Sequence, residues 1–464
     1  MTTYKLSFFI LLLSITIKLI GINYTNFDLF GDEAQYWLWS ETPKLGYYSK
    51  PPLLAWLLKL HTLLFGNSFE ALKYFPFIFY FFISYVVYLL SYELYRNKEL
   101  AIITALSFYL LPSVSVSSFL ISTDIVLVFF CSLSLLMLLR IRKKPNINNF
   151  VVLGIFFGLS FLAKYAAIYY LFSLILILAL DRELRKAFTL NYIGIVVFLS
   201  CFFSVLLPNL LWNIQNDWVT LFHTSDNAGL KRANLDLVGG LEFLLSQSVM
   251  LGPVLFFYFV FYLKKIQFNF QTKFLLVFSL PVFCIIFVES ILVRANANWA
   301  AVGLIPVFIL IISHVYSYSK KIIQYNNVFN FLFCFILFFL ITTSSNLKIF
   351  DRINGISDFT NILKTNYLEK TDYLIIENRL LYSGLSYYLK NYNKILLTPH
   401  NPKNEVKSHF HLSNPLKPNH NKNFIFIGSP ISLNYLEKDY KIIKQNQVNV
   451  KFFNNPIIIY EVIF

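Results

Sequence analysis

The feature that most constrains the fold is a succession of apolar stretches, each long enough to cross a lipid bilayer. A helix of about 20 residues spans the hydrocarbon core. Of the 464 residues, 57% are hydrophobic and only 14% are charged, which lies far outside the usual composition of a soluble domain. The sequence therefore predicts an α-helical polytopic membrane protein.

The apolar runs predict spanning helices at about residues 6–22, 74–92, 99–118, 124–140, 190–211, 240–263, 274–293, 299–317 and 327–345. The run at 150–180 is too long for one ordinary helix and short for two. Basic clusters flank it on both sides, and Lys and Arg collect in cytoplasmic loops. We therefore expect two crossings that turn near Lys164, which brings the predicted total to eleven helices.

Eleven crossings place the N-terminus in the cytoplasm and the tail outside. The net charge of +15 then lies largely in cytoplasmic loops, so it does not indicate a nucleic-acid partner. No small-residue cleavage site follows the first apolar run, which we interpret as a spanning helix rather than a signal peptide. We predict a transmembrane domain at 1–345, with its first outer loop at about 23–73, and a periplasmic domain at 346–464.

The tail has shorter apolar runs and more polar residues, which predicts a small α/β domain. Period-2 and period-3.6 patterns predict strands at 372–376, 395–398, 424–427 and 457–463 and a helix at 380–390. The apolar stretch LLAWLLKLHTLLFG at 53–66 is too short to span and is expected to lie in the membrane interface.

Ionisable residues gather on the predicted outer face. They are Asp32, Glu33, Lys50, Asp124, Lys164 and Arg294, together with Asp217, His223, Asp226, Lys231 and Arg232 in the segment 212–240. Simpler roles compete for several of them. Asp32 in GDEAQ matches a helix cap with Gln35 three residues on, and Asp124 in STDIV also fits a first helical turn. Lys164 could merely snorkel toward headgroups, and Arg294 could be a plain loop charge.

These residue types also suit sugar transfer from a phosphate-linked donor. The leaving phosphate gains charge as the glycosidic bond breaks, and Lys50 and Arg294 are candidates to stabilise it. Asp32 fits the general base that takes the acceptor proton, a role worth about 10²- to 10⁴-fold. Asp124 could orient the acceptor, or join Asp32 and Glu33 in holding Mg²⁺ or Mn²⁺. The four cysteines have no CxxC spacing, and a metal role for His409 and His411 is not expected.

Several blocks carry a family resemblance. GDEAQYWLWS, GYYSKPPLLAW, STDIVLVFF, FLAKYAA, PNLLWNIQNDW and NANWAAVGLIP resemble, in order, the bacterial GT-C glycosyltransferases related to protein mannosyltransferases and the lipid A aminoarabinose transferase. NRLLYSGLSYYLK resembles the outer soluble domain of one bacterial branch. The resemblance implies the GT-C fold, the bacterial inner membrane, and inverting transfer from a polyprenyl-phosphate sugar to an envelope acceptor (lipid A, a glycan or a protein) on the periplasmic face.

The resemblance also implies roles for particular residues. The family's first-loop acidic motif falls on Asp32 and Glu33, with Asp32 as the catalytic carboxylate, and its second acidic position falls on Asp124. The lysine associated with the lipid phosphate falls on Lys50, beside Tyr48 in the same block. We also expect Lys164 and Arg294 to bind substrate. The aminoarabinose branch carries a glutamate where this chain has Ser49, so the resemblance fixes neither the sugar nor a metal site.

Two alternatives remain open. A transporter or flippase for lipid-linked glycans would be equally hydrophobic and basic, but its polar groups should lie near the membrane midplane in broken helices. Here the polar groups lie at helix ends on one side, which favours surface chemistry. Another GT-C activity, such as a glycan polymerase or ligase, is the closer alternative.

Overall fold

The computed structural model describes seven stretches of the chain, which are 3–229, 235–344, 347–399, 406–417, 420–433, 440–453 and 455–464. Lys231 and Arg232 lie outside these residues, as does the predicted domain boundary at 345/346, which stays a prediction. The chain divides into two compact units. The helical unit comprises Met1–Asn23, Lys50–Leu54 and Phe65–Phe339, and the α/β unit comprises Tyr24–Ser49, Ala55–Leu64 and Leu340–Phe464.

The α-helices of the described residues are, in chain order, α1 (Thr3–Tyr24), α2 (Gly31–Glu41), α3 (Leu53–Phe65), α4 (Phe69–Tyr95), α5 (Lys98–Tyr109), α6 (Pro112–Ser117), α7 (Thr123–Lys143), α8 (Ile147–Ala163), α9 (Ile168–Leu180), α10 (Arg182–Thr189), α11 (Tyr192–Gln215), α12 (Val219–Ala228), α13 (Leu237–Met250), α14 (Pro253–Phe261), α15 (Phe270–Val277), α16 (Leu280–Leu292), α17 (Ala301–Tyr318), α18 (Lys320–Thr343), α19 (Ile356–Asn366), α20 (Arg379–Tyr388), α21 (His409–Ser413) and α22 (Pro430–Leu433). The strands are β1 (Tyr373–Ile376), β2 (Ile395–Leu397), β3 (Phe424–Ile427), β4 (Lys441–Val448) and β5 (Ile457–Ile463).

The helical unit has the features of a multi-pass membrane protein. Across the described ranges, seven helical segments are long and apolar enough to cross a membrane, and nine if two bent pairs each count as one span. The predicted polytopic helical class is confirmed. The predicted count of eleven is not.

Proline and glycine account for two of the differences in helix boundaries. The helix predicted at 99–118 instead ends at Tyr109, and α6 starts anew at Pro112, because proline lacks an N–H and disfavours helix in the residue before it. The helix predicted at 240–263 is broken at Gly252, whose φ of +87° suits glycine. The axis of the second half is bent by 106° from that of the first.

The α/β unit is built on a five-stranded sheet in the order β2-β1-β3-β5-β4. β1 runs parallel to β2 and β3, whereas β5 is antiparallel to β3 and β4. Alternate residues of β1 enter two separate cores, with Leu374 and Ile376 on one face and Ile375 on the other. The four predicted strands and the helix α20 are confirmed to within two residues. β4 and α19 were not predicted.

Residues Tyr24–Ser49 of the first loop belong to this unit and are fixed to its C-terminal part. The Asp28 carboxylate accepts the backbone N–H of Ile356 at 2.7 Å and the hydroxyl of Tyr388 at 2.8 Å. At the start of α2, a Cβ on Gly31 would lie 2.9 Å from the Leu380 Cβ, closer than real contacts allow. This packing holds the first turn of α2 against α20, and Asp32 lies in that turn.

Candidate active site

The two adjacent acids of α2, Asp32 and Glu33, have different hydrogen-bond partners. Phe30 precedes the helix, and its backbone N–H donates to the Glu33 carboxylate at 2.9 Å. Glu33 is fully buried. It is therefore Glu33, and not Asp32, that caps the helix start, and the capping alternative for Asp32 was wrong.

Asp32 is left with an accessible carboxylate. Its side chain is 38% exposed, and Arg379 Nη1 lies 3.2 Å from its Oδ1. The same guanidinium nitrogen donates to Gln35 Oε1 at 2.6 Å. Arg379 thus orients the carboxylate while leaving it open to solvent.

Sequence reasoning missed Arg379, although one signal was present. Asn378 caps α20 by accepting from the N–H groups of Leu380 and Leu381, so Arg379 is the first residue of the helix. A cation is unfavourable at that end of the helix dipole. Its position there points to a carboxylate partner elsewhere in the chain, which the structure identifies as Asp32.

In the helical unit, Asp124 is the centre of a second polar cluster. It lies in the first turn of α7, and Lys164 Nζ donates to its Oδ1 at 2.6 Å. Asn298 Nδ2 donates to its Oδ2 at 2.7 Å. Asp124 and Lys164 side chains are only 15% and 18% exposed. The sequence did not indicate Asn298 as a site residue, since its partner is 174 residues away.

Lys164 lies at the predicted helix break. Its backbone is extended at the end of α8, with φ −164°, and the chain continues into a 3₁₀ turn. The break therefore follows the prediction, whereas the snorkelling alternative was wrong because the ammonium binds Asp124. Next to it, the Tyr165 hydroxyl donates to Asn209 Oδ1 at 2.8 Å, and Asn213 Nδ2 donates to that hydroxyl at 3.1 Å. Both residues at this turn are thus tied to polar partners.

The other predicted site residues have distinct surroundings. Lys50 is half-buried directly before Pro51 and belongs to the helical unit. Tyr48 belongs to the α/β unit, where its backbone N–H donates to His409 Nδ1 at 3.5 Å. Arg294 is exposed in the loop after α16. Their substrate-binding roles stay predictions.

The metal prediction rested on Asp32, Glu33 and Asp124. Within the described ranges, no three side chains of His, Cys, Asp or Glu come together to hold an ion. Glu33 accepts a backbone N–H, while Asp32 and Asp124 each face a cation. Each of the three carboxylates thus already has a protein partner, and dependence on Mg²⁺ or Mn²⁺ stays a prediction.

The chain is similar to a protein family and to several known proteins. The family model described as dolichyl-phosphate-mannose-protein mannosyltransferase matches residues 49–212. The chain is 31% identical over 308 residues to the lipid A galacturonosyltransferase RgtD of Rhizobium johnstonii, which covers 64% of this chain and 63% of that protein. Crystal structures of ArnT from Cupriavidus metallidurans, in the apo state and bound to undecaprenyl phosphate, superimpose with TM-scores of 0.66 and 0.67.

Those superpositions cover 97% of both chains at 11% and 13% identity, and they show that the fold is shared. The protein has the features of a multi-pass membrane protein with a small C-terminal α/β domain. The predicted fold class is confirmed. The matched stretch spans less than two thirds of the galacturonosyltransferase's own length.

The Asp124–Lys164 ion pair leads to a first prediction. Lys164→Met leaves a mostly buried carboxylate without its cation and should lower the free energy of unfolding by roughly 3 kcal/mol. Adding Asp124→Asn should recover most of that loss, because no charge is then left unpaired. Denaturation of the four variants in a double-mutant cycle measures the coupling.

The exposed pair Glu99–Lys320 is the matched control, with side chains 38% and 43% exposed in the same unit. Its coupling should stay below about 1 kcal/mol. Equal coupling in the two pairs would contradict a special role for burial at Asp124.

His409 provides a second prediction, since it is buried against the rings of Trp39 and Tyr47. Burial, helped by the charge of Lys44, lowers the pKa of His409 from 6.5 to about 3. Between those two values only the unfolded chain binds the proton, so stability should fall as the pH drops from about 6.5 toward 3.

His409→Phe should remove this part of the pH dependence while keeping the aromatic packing. Melting temperatures between pH 7.5 and pH 4.5 measure it, and His411→Phe should leave it in place. Parallel curves for the wild type and His409→Phe would show that another group is responsible.

Proposed function

We propose that this protein belongs to the GT-C family and is an inverting glycosyltransferase that moves a sugar from a polyprenyl-phosphate donor to an envelope acceptor. The observation that carries the proposal is the state of Asp32: an exposed carboxylate, oriented by Arg379, at the start of a fixed helix. The relatives' names add support, since RgtD is a lipid A galacturonosyltransferase and one ArnT structure holds undecaprenyl phosphate.

In the proposed reaction, the acceptor hydroxyl attacks the anomeric carbon as the bond from that carbon to the phosphate oxygen breaks. Asp32 takes the hydroxyl proton as general base. The electron pair of the broken bond goes to the phosphate, whose growing charge Lys50 and Arg294 stabilise. Attack from the face opposite the phosphate inverts the configuration at the anomeric carbon.

Asp124 and Lys164 have a different proposed role. Each oxygen of Asp124 already accepts one hydrogen bond, from Lys164 and from Asn298. A carboxylate held in this way is a hydrogen-bond acceptor with a fixed orientation. We therefore assign Asp124 to orienting a substrate hydroxyl and Lys164 to holding Asp124 in place.

The experiment is a transfer assay with the purified chain in lipid nanodiscs, using a polyprenyl-phosphate radiolabelled sugar and envelope glycolipid. Asp32→Asn should lower turnover by about 10²- to 10⁴-fold, because the amide cannot take the proton. Binding of polyprenyl phosphate alone should be unchanged.

Asp358→Asn is the matched control, since Asp358 is an exposed carboxylate in the first turn of another helix of the same unit. It should retain full turnover. Normal turnover by Asp32→Asn would remove Asp32 from the mechanism.

We also propose that the N-terminus is cytoplasmic and the C-terminal domain periplasmic, because this orientation leaves the basic loops in the cytoplasm. A dual reporter fused after Phe464 should read periplasmic, and the same reporter fused after Lys143 at the basic end of α7 should read cytoplasmic. Reversed readouts would overturn the proposed orientation and with it the face on which transfer occurs.

A further inference from the structure

A crevice of about 340 Å³ opens in the α/β unit at one edge of the sheet. Glu377 and Asn378 follow β1, Gly428 and Ser429 follow β3, and Pro456 precedes β5. β1 and β3 are parallel neighbours, so their carboxyl ends share this edge. The backbone N–H of Gly428 donates to the carbonyl of Ile458 at 3.2 Å, which brings the start of β5 to the same place.

The strand order makes this edge a preferred place for a ligand. From β1 the chain passes through α20 to β2 on one side, and it then returns to β3 on the other side of β1. The connections after β1 and β3 therefore diverge. In open α/β sheets, ligands bind in the crevice outside the carboxyl ends of the strands at such a switch point.

The polar groups of the crevice centre on the Glu377 carboxylate. Its Oε2 accepts the backbone N–H of Ser429 at 2.6 Å, and its Oε1 accepts the hydroxyls of Ser429 and Ser432. A Cβ on residue 428 would lie 2.6 Å from that Oε2, so the carboxylate fits here because residue 428 is glycine.

This cluster offers acceptors rather than donors. A carboxylate has about four lone-pair sites, and hydroxyls that donate to it keep lone pairs of their own. The negative charge disfavours anionic ligands and favours groups that carry O–H or N–H⁺. The apolar side chains of Leu381, Phe453, Pro456 and Ile457 also line the crevice.

A ligand that matches both kinds of lining carries hydroxyl or amino donors together with an apolar C–H face. Pyranose rings have this character. The volume lies at the lower end of the range for small-molecule sites, which suits one or two rings. We propose that this crevice binds a neutral or amino-substituted pyranose, with Glu377 as the principal acceptor and Phe453 against the ring face.

The proposal does not require Asp32 to act as a base, and the test separates the two. Saturation-transfer NMR on the full chain in nanodiscs would use the methyl glycosides of glucose, glucosamine and galacturonic acid as probes. The glucoside and the glucosaminide should receive saturation from the protein, and the galacturonide should not. Butylamine, a cation without hydroxyls, should bind far more weakly than the glucosaminide.

Glu377→Gln keeps the shape of the side chain but removes its charge, and should weaken glucosaminide binding about tenfold. Gly428→Ala should abolish it by displacing the carboxylate. Glu369→Gln, at an exposed glutamate of the same unit, should leave binding unchanged, as should Asp32→Asn. Melting temperatures verify that each variant is folded.

Four results would overturn the proposal. Three are no saturation of any glycoside by the folded wild type, equal binding of the galacturonide, and glycoside binding that Glu377→Gln leaves intact. The fourth is butylamine binding as strong as that of the glucosaminide, which would identify a simple cation site instead.

Discussion

In the helical unit, a carboxylate and an ammonium 40 residues apart in sequence meet at 2.6 Å. Each lies at a helix end: Asp124 is in the first turn of α7, and Lys164 directly follows α8. A lone charge at the centre of a membrane helix costs roughly 2.5 to 3.5 kcal/mol. Pairing at helix ends reduces this cost, and it lets an apolar chain keep the polar groups that the proposed chemistry requires.

The α/β unit uses the same pairing at an exposed position. There the Asp32–Arg379 contact adds little stability, because exposed ion pairs are worth at most about 1 kcal/mol. What fixes Asp32 is the packing around it: the Asp28 hydrogen bonds, the close approach of Gly31 to Leu380, and the Glu33 cap. The carboxylate can therefore face solvent in one orientation, which a general base needs before the acceptor arrives.

Much of this followed from the sequence because the responsible signals are local. Apolar runs predicted the spanning helices, short runs with period-2 alternation predicted four strands, and clusters of basic residues predicted the break at Lys164. What the sequence did not supply were contacts between distant residues: Arg379 with Asp32, and Asn298 with Asp124. β4 was missed because it is an edge strand whose residues are nearly all exposed, so it lacks the alternation of a half-buried strand. Gly252 and Pro112 explain part of the difference in the span count, since each breaks the helix within a mostly apolar run.

The central claim is that the donor's glycosidic bond is broken rather than the donor merely moved across the membrane. Mass spectrometry of polyprenyl-linked sugars and envelope glycans, from cells with and without the gene, tests it most directly. Loss of the gene should remove one sugar from an envelope glycan and raise the pool of sugar-charged polyprenyl phosphate. Envelope glycans that keep every sugar, with an unchanged donor pool, would contradict the transferase assignment.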